Sequence, residues 1–360
     1  RDYPASMKRL VFFVAILASV LAIAVLTDLR ALMTALLSLS AGTALSLLIV
    51  LLANEILKGL RWAFYLRAAH LDIRVIDGLT SYLAAQAATA IPGGSVLSAR
   101  LVEEHARGRV RMRQAAPGLI VQMFGDLLAV SVLATAAILL TEQRPVQLLI
   151  PALAAVITTV LIAVFRSERP AEWLLRAMSQ RRITRRLVPT EEDFRIHLKR
   201  MLRSGVLTGG TVFSVGTTLL SVTVVCILVN ALTVRGVVFA EGLYVHSFSM
   251  LAHLFVPTPG GIGASDASLA GMLNYIGIGL GRATFIALTY RSVGVLFRTA
   301  IGMVTLLALY PSVLVEVRRG EQPAPARSSP ALIGLGSAGL ATASELPAPA
   351  GESLVTGGED

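Results

Sequence analysis

The chain has few charged residues and almost no cysteine. Only 15% of its 360 residues are Asp, Glu, Lys or Arg, whereas 55% are apolar, and the mean hydropathy is +0.72. A soluble domain carries about 25% charged residues, so the composition excludes a chain made of ordinary soluble domains. Apolar runs of about 20 residues recur, and each is long enough to cross about 30 Å of hydrocarbon. The sequence therefore predicts an all-α, polytopic membrane protein.

The single cysteine, Cys226, lies in an apolar run, which excludes a disulfide framework and a cysteine metal cluster. Lysine is also scarce, so the net charge of +10 is carried almost wholly by arginine. In a membrane protein such an excess marks cytoplasmic loops and attracts anionic lipid headgroups. Because no soluble basic module is evident, a nucleic-acid partner is not expected. The sequence also predicts neither a cofactor nor a metal.

Six segments are apolar on every face over the length of a span. They are Leu10–Leu26, Ala35–Ala53, Ala115–Leu140, Val146–Phe165, Val206–Leu232 and Ala283–Tyr310. Two regions, 77–91 and 237–256, are ambiguous because each runs into Pro and Gly, so we expect about six to eight spans. The predicted organisation is a short cytoplasmic segment (1–9), a membrane domain (10–310) and a disordered Pro/Ala/Gly-rich tail (311–360).

The distribution of arginine predicts that both termini are cytoplasmic. Only then do the basic stretch from Lys58 to Arg74 and the loop 166–203 both lie inside. A full crossing by 77–91 would place the basic stretch 100–113 outside, so we expect that segment to be re-entrant. The loop 166–203 is interpreted either as one or two amphipathic helices on the inner leaflet or as a solvated linker.

Two Pro-Gly-Gly breaks interrupt apolar segments in corresponding halves of the chain. Irregular backbone at membrane depth survives only inside protein or along a wet cavity, and paired interrupted segments indicate a transport site. The halves are then inverted repeats; the alternative is that 237–256 and 267–280 are both full spans. The residues expected to form the cavity are Pro92, Gly93, Gly94, Pro257, Pro259, Gly260, Gly261 and Gly263.

Two arginines, Arg291 and Arg298, lie seven residues apart in one predicted span and so share a helix face. Intramembrane arginines are costly and by default functional, and their forked donors suit phosphate oxygens. The alternative is an internal ion pair, with Asp266 or Glu241 as the partner. Asp266 itself is interpreted either as a helix cap or as a counter-ion or proton carrier.

Other polar residues in apolar segments have simpler interpretations. His246 and His253 also lie seven residues apart, but zinc would need further ligands, so hydrogen-bonded helix packing is favoured. Asp126, with Gln122 one turn earlier, is a lone intramembrane carboxylate. We expect it to pair with an arginine across the bundle.

Several of these motifs resemble the lysylphosphatidylglycerol synthase transmembrane family, also called flippase-like, over about residues 10–310. The similar elements are Arg61-Trp62 through Leu66, Pro92-Gly93-Gly94 with Arg100, Pro257-Thr258-Pro259-Gly260-Gly261-Ile262-Gly263 with Asp266, and Arg291. The resemblance implies a bacterial or archaeal protein of the cell membrane that translocates lipid, and it adds Arg100 to the headgroup residues. This chain departs from the family where Val96 and Leu97 replace Gly-Glu, and where Asp266 replaces Glu.

The leading hypothesis is a translocator of a phosphate-bearing lipid, such as aminoacylated phosphatidylglycerol or a polyprenyl-phosphate-linked lipid. Its headgroup residues would be Arg291, Arg298, Asp266 and Arg100. We do not expect an enzyme, because no synthase domain follows residue 310 and no phosphate-binding P-loop motif occurs. Alternatives are a membrane-embedded transferase acting on polyprenyl phosphate and a membrane scaffold. The sequence leaves open which lipid is transported, in which direction, and which energy source drives the transport. It also leaves open whether the protein forms a homo-oligomer.

Overall fold

The computed structural model describes residues 34, 37, 39–88, 96–106, 110–141, 145–167, 191–255 and 264–310. All of them belong to the first of two compact units, residues 1–320. Every regular element in these ranges is a helix, so the predicted all-α class is confirmed. The predicted helix Leu10–Leu26, both Pro-Gly-Gly breaks, the region around Trp173 and the tail lie outside the described residues.

Ten helices of more than two turns form the described part of the chain. They are α1 (Ala41–Ala68), α2 (Val75–Ala85), α3 (Val96–His105), α4 (Pro117–Leu140), α5 (Leu149–Arg166), α6 (Glu191–Met201), α7 (Ser204–Leu232), α8 (Phe239–Phe255), α9 (Ala264–Tyr275) and α10 (Leu280–Leu309). Helices α1, α4, α5, α7 and α10 are long and apolar enough to cross a membrane. The chain is therefore a multi-pass helical membrane protein.

Helix α1 extends far beyond its predicted end at Ala53. It begins after Ser40, whose side chain caps the backbone N–H of Thr43, and it continues to Ala68. It ends where His70 adopts a left-handed conformation (φ 61°) and Leu71 N–H donates to Leu66 O, a common helix stop. The predicted end at Ala53 is therefore wrong. Lys58 and Arg61, which were expected to follow the span, lie within α1 and pair with carboxylates of the bundle.

The two halves of the chain repeat one order of elements. Each has a long helix, a shorter helix, a stretch outside the described residues, a second short helix and a second long helix: α1 to α4, and α7 to α10. Helix α1 packs on α7, α2 packs on α10, and α8 packs on α4, so each half covers the other's short helix. This arrangement favours a duplicated unit. Helices α8 and α9 are shorter than the candidate spans, which favours the broken-segment interpretation, and the inversion of the halves stays a prediction.

Close helix contacts depend on small residues. A Cβ atom added at Gly210 of α7 would lie 1.8 Å from Tyr65 Oη on α1, and one at Gly302 of α10 would lie 2.1 Å from Ala87 N in the short 3-10 turn after α2. Small residues of this kind let backbones approach closely in membrane bundles. These two contacts set the spacing of α1 with α7 and of α2 with α10.

Helix α6 is the described part of the basic loop 166–203. Its apolar residues Phe194, Leu198 and Met201 are buried, and the helix packs against α4. The amphipathic interpretation is thus correct for this segment. Its apolar face is covered by the bundle and not by a lipid leaflet, because these three residues belong to the core cluster that contains Trp62 and Phe124. Arg166, the last residue of α5, also donates to Leu202 O directly after α6.

Candidate functional site

In the part of the chain that the structure describes, seven charged side chains lie within the bundle. They are Glu55, Lys58 and Arg61 on α1, Asp126 on α4, Asp266 on α9, and Arg291 and Arg298 on α10. A charge at this depth is costly unless it is paired or faces a polar cavity. The partners of each side chain therefore decide which of them are structural and which are available to a ligand.

Arg61 is enclosed by acceptors from two other helices. Its side chain is 4% exposed and its guanidinium donates to both carboxylate oxygens of Asp126. It also donates to Ser214 Oγ at 2.5 Å and Gln122 Oε1 at 3.4 Å. Asp126 thus has the arginine partner that the sequence led us to expect. Because four acceptor atoms surround its guanidinium, we assign Arg61 a structural role, which is to link α1, α4 and α7.

Glu55 and Lys58 form a second pair on α1. Lys58 Nζ donates to Glu55 Oε1 at 2.8 Å, and Tyr82 Oη on α2 lies 3.5 Å from Glu55 Oε2. Glu55 is buried. This pair was not predicted from the sequence, because two charges after an apolar run are typical of the end of a span. Their spacing of three residues, which suits an intrahelical pair, is the signal that could have found it.

Arg291 and Asp266 form an ion pair between α10 and the first turn of α9. Each side chain is 17% exposed. The alternative partner, Glu241, is not used: its carboxylate lies 3.6 Å from Arg235 Nη2 at the start of α8. Asp266 follows directly on the second Pro-Gly-Gly break, so this pair fixes the chain where it resumes after the break.

Arg298 differs from the other three cations. Its Nε donates to Gly294 O at 3.0 Å, within its own helix, and the side chain is half-buried. It lies within electrostatic range of Tyr82 on α2 and Tyr290 on α10. Among the described residues, no carboxylate lies within 4.0 Å of its guanidinium and no acceptor faces its two terminal nitrogens. The shared face predicted for Arg291 and Arg298 therefore holds two arginines with different surroundings.

The charges of the bundle do not balance. Three carboxylates, Glu55, Asp126 and Asp266, pair with Lys58, Arg61 and Arg291. Residues 89–95 and 256–263, which include both breaks, contain no charged residue. Among the bundle charges that the structure describes, one positive charge, on Arg298, is therefore left without a counter-ion.

Arg100 lies apart from this group. It is on α3 and pairs with Glu103 at 2.8 Å, and both side chains are substantially exposed. The structure does not bring it into contact with Arg291, Arg298 or Asp266. The eight predicted cavity residues of the two breaks lie outside the described residues, so their role stays a prediction.

His246 is buried beside Tyr290, with ring centroids 5.9 Å apart. This contact agrees with a packing role, and the side chain of His253 lies outside the described residues. Over the ranges that the structure describes, no three His, Cys, Asp or Glu side chains come together as a metal site would require.

The fold and these charges define a class: a helical membrane protein with two similar halves, polar groups in its interior and an interior arginine, Arg298, that no described carboxylate neutralises. Comparison with known families gives the particular family. The model of the lysylphosphatidylglycerol synthase TM region matches residues 12–302, and the chain belongs to that family. The family relates the chain to lipid modification or translocation. Neither the curated proteins nor the solved structures gave a match.

Proposed function

We propose that the protein is a lipid translocator that binds the phosphate of a phosphate-bearing lipid headgroup at Arg298. The observation that carries the proposal is the charge imbalance of the interior. A half-buried guanidinium without a counter-ion is unfavourable in a membrane bundle, and a singly charged phosphate would neutralise it.

The geometry of Arg298 suits phosphate. Because Nε is engaged by Gly294 O, the two terminal nitrogens form the side of the fork that can donate to two phosphate oxygens. Tyr82 and Tyr290 lie within electrostatic range of the same guanidinium, and a phenol hydroxyl can donate to a further oxygen. The acyl chains would stay in the surrounding lipid.

Arg291 and Asp266 have a different role in this proposal. Their ion pair holds the start of α9 to α10, next to the break that is expected to line the cavity. We assign them to positioning the broken segment, so Arg291 is a positioning residue and Arg298 contacts the headgroup. Arg100 lies on α3, apart from Arg298, and its side chain is exposed. We therefore propose that it contacts the headgroup only while the lipid enters.

We also propose the substrate of the protein, the membrane in which it acts and the orientation of its termini. The substrate is aminoacylated phosphatidylglycerol or a polyprenyl-phosphate-linked lipid, and the protein is not an enzyme. It acts in the cell membrane of a bacterium or archaeon with both termini in the cytoplasm, as the distribution of arginine predicts.

Transport in proteoliposomes tests the proposal. We expect Arg298→Gln to lower the translocation of fluorescent phosphatidylglycerol at least tenfold, and Arg298→Lys to restore little, since an ammonium lacks the planar fork. The matched control is Arg282→Gln, which removes an exposed arginine at the start of the same helix and should leave transport unchanged. Equal transport by the Arg298→Gln variant and the parent chain would refute the headgroup assignment.

A further inference from the structure

A second polar site lies at the end of the bundle where α4 and α7 end and α8 begins. It is a pocket of about 450 Å³ that contains Arg235 and Glu241, with Nη2 and Oε1 3.6 Å apart. The rings of Tyr244 and Tyr275 also line it, with centroids 6.3 Å apart. None of these residues contributes to the interior charges around Arg298.

The backbone fixes the position of Arg235 in this pocket. Gly277, in the turn between α9 and α10, has a φ of +94°, which side chains other than glycine rarely adopt. A Cβ atom there would lie 2.2 Å from Arg235 Nη1, so the guanidinium rests directly on the turn. Glu241 is held as well, because its Oε2 accepts from the N–H of Val238 at 3.3 Å.

An apolar groove lies next to this pocket, between α5, α8 and α9. It has a volume of about 490 Å³, and Leu153, Phe248 and Met272 are among the residues that line it. Phe248 contacts Tyr244 of the polar pocket, with ring centroids 4.8 Å apart and the ring planes tilted by 46°. Tyr244 Oη also donates to Gln147 Oε1 at 2.9 Å, just before α5. The two cavities are thus neighbours, one polar and one apolar, that meet at Tyr244 and Phe248.

We propose that this site binds a glycerophospholipid with a zwitterionic, amine-bearing headgroup. The phosphate would bind Arg235, the ammonium would bind Glu241 between the two tyrosine rings, and one acyl chain would lie in the groove. Charge complementarity selects this class: the pocket holds one positive and one negative side chain, so a purely anionic headgroup would face the Glu241 carboxylate. Tyrosine rings further favour an ammonium group through cation–π attraction.

The groove is open to hydrocarbon, which makes a lipid its natural occupant. Leu153 is 53% exposed on α5, a helix apolar enough to span the membrane. A soluble ligand would have to displace lipid from this surface, whereas an acyl chain already belongs to that environment. The proposal needs only the membrane fold and does not depend on transport through the Arg298 site.

Quenching of tryptophan by brominated lipids tests the site. Leu153→Trp places a fluorophore in the groove, and Val160→Trp places one two turns further along the same exposed face of α5, outside the groove. Each variant is reconstituted in vesicles of equal phosphatidylethanolamine and phosphatidylglycerol, with bromine on the acyl chains of one component at a time. The signal of the native tryptophans is measured on the parent chain and subtracted.

We expect brominated phosphatidylethanolamine to quench the Leu153→Trp variant at least twice as strongly as brominated phosphatidylglycerol does, and both lipids to quench Val160→Trp equally. Adding Glu241→Gln or Arg235→Gln to Leu153→Trp should abolish the preference, whereas Arg282→Gln should keep it. Equal quenching of Leu153→Trp by the two lipids, a preference for phosphatidylglycerol, or a preference that survives both pocket substitutions would each overturn the proposal. Because the measurement reports binding alone, a transport defect cannot produce any of these results.

Discussion

Loss of the Asp126 carboxylate should strongly destabilise the bundle, because it leaves Arg61 buried without a counter-ion. We expect Asp126→Asn to lower the free energy of unfolding by about 3 kcal/mol, the lower end of the range for breaking a buried ion pair. The lower end applies since Ser214 and Gln122 still accept from the guanidinium and since Asp126 itself is 46% exposed. A loss of about 3 kcal/mol reduces the folding equilibrium constant by roughly two orders of magnitude.

Unfolding by sodium dodecyl sulfate in dodecyl maltoside micelles measures this loss. The fluorescence of Trp62, which adjoins Arg61 in α1 and is fully buried, reports the transition. The matched control is Glu103→Gln, which breaks the exposed pair with Arg100 and should cost less than about 1 kcal/mol. Equal losses for the buried and the exposed pair would refute the reasoning.

A double variant distinguishes the stability contributed by the ion pair from the cost of burying an unpaired charge. Arg61→Met combined with Asp126→Leu removes both charges, so no unpaired charge stays buried, and such replacements are often neutral or stabilising. We therefore expect it to recover most of the stability that Asp126→Asn loses. If the double variant were less stable than Asp126→Asn, the ion pair would have to stabilise the bundle by more than the removal of an unpaired buried charge can recover.

Helix packing, the second ion pair and the topology each give a further prediction. Gly210→Ala should cost about 1–3 kcal/mol of unfolding free energy through overpacking against α1, whereas Gly205→Ala on the same helix meets nothing within 4 Å and should be neutral in the same micelle assay. Arg291→Gln and Asp266→Asn should each lower transport about tenfold, and the combined variant should recover most of it; a combined variant as inactive as either single one would mean that Arg291 handles the headgroup directly. A cysteine at Ser328 should react with an impermeant maleimide only after cell lysis, and labelling of intact cells would overturn the cytoplasmic tail.

Two long helices with few charges could be located from the sequence to within a few residues. The predicted span Val206–Leu232 compares with Ser204–Leu232 in the structure, and Ala283–Tyr310 compares with Leu280–Leu309. The first is recognisable because an uncharged, mostly apolar run of that length has no stable alternative to a span. In α10, Arg291 and Arg298 did not obscure the helix, because the uncharged residues before, between and after them together are long enough for a span.

The end of α1 could not be predicted, because hydropathy counts charges without regard to their partners. The acceptors that neutralise Arg61 are 65 residues away on Asp126 and 153 residues away on Ser214. The same limit applies to α10. Sequence spacing placed Arg291 and Arg298 on one face, but only tertiary packing decides that Asp266 reaches the first and that no described carboxylate reaches the second.

Because no described carboxylate neutralises Arg298, membrane voltage becomes part of the proposed transport cycle. With a singly charged anionic lipid bound, the interior is neutral, whereas the empty site carries one positive charge. If the empty site moves across the whole membrane field when it returns, a potential of 100 mV contributes about 2.3 kcal/mol to that step, or roughly 50-fold in its equilibrium. A potassium diffusion potential imposed on proteoliposomes should then speed transport at one polarity and slow it at the other, and the favoured polarity would report the direction in which the empty site returns.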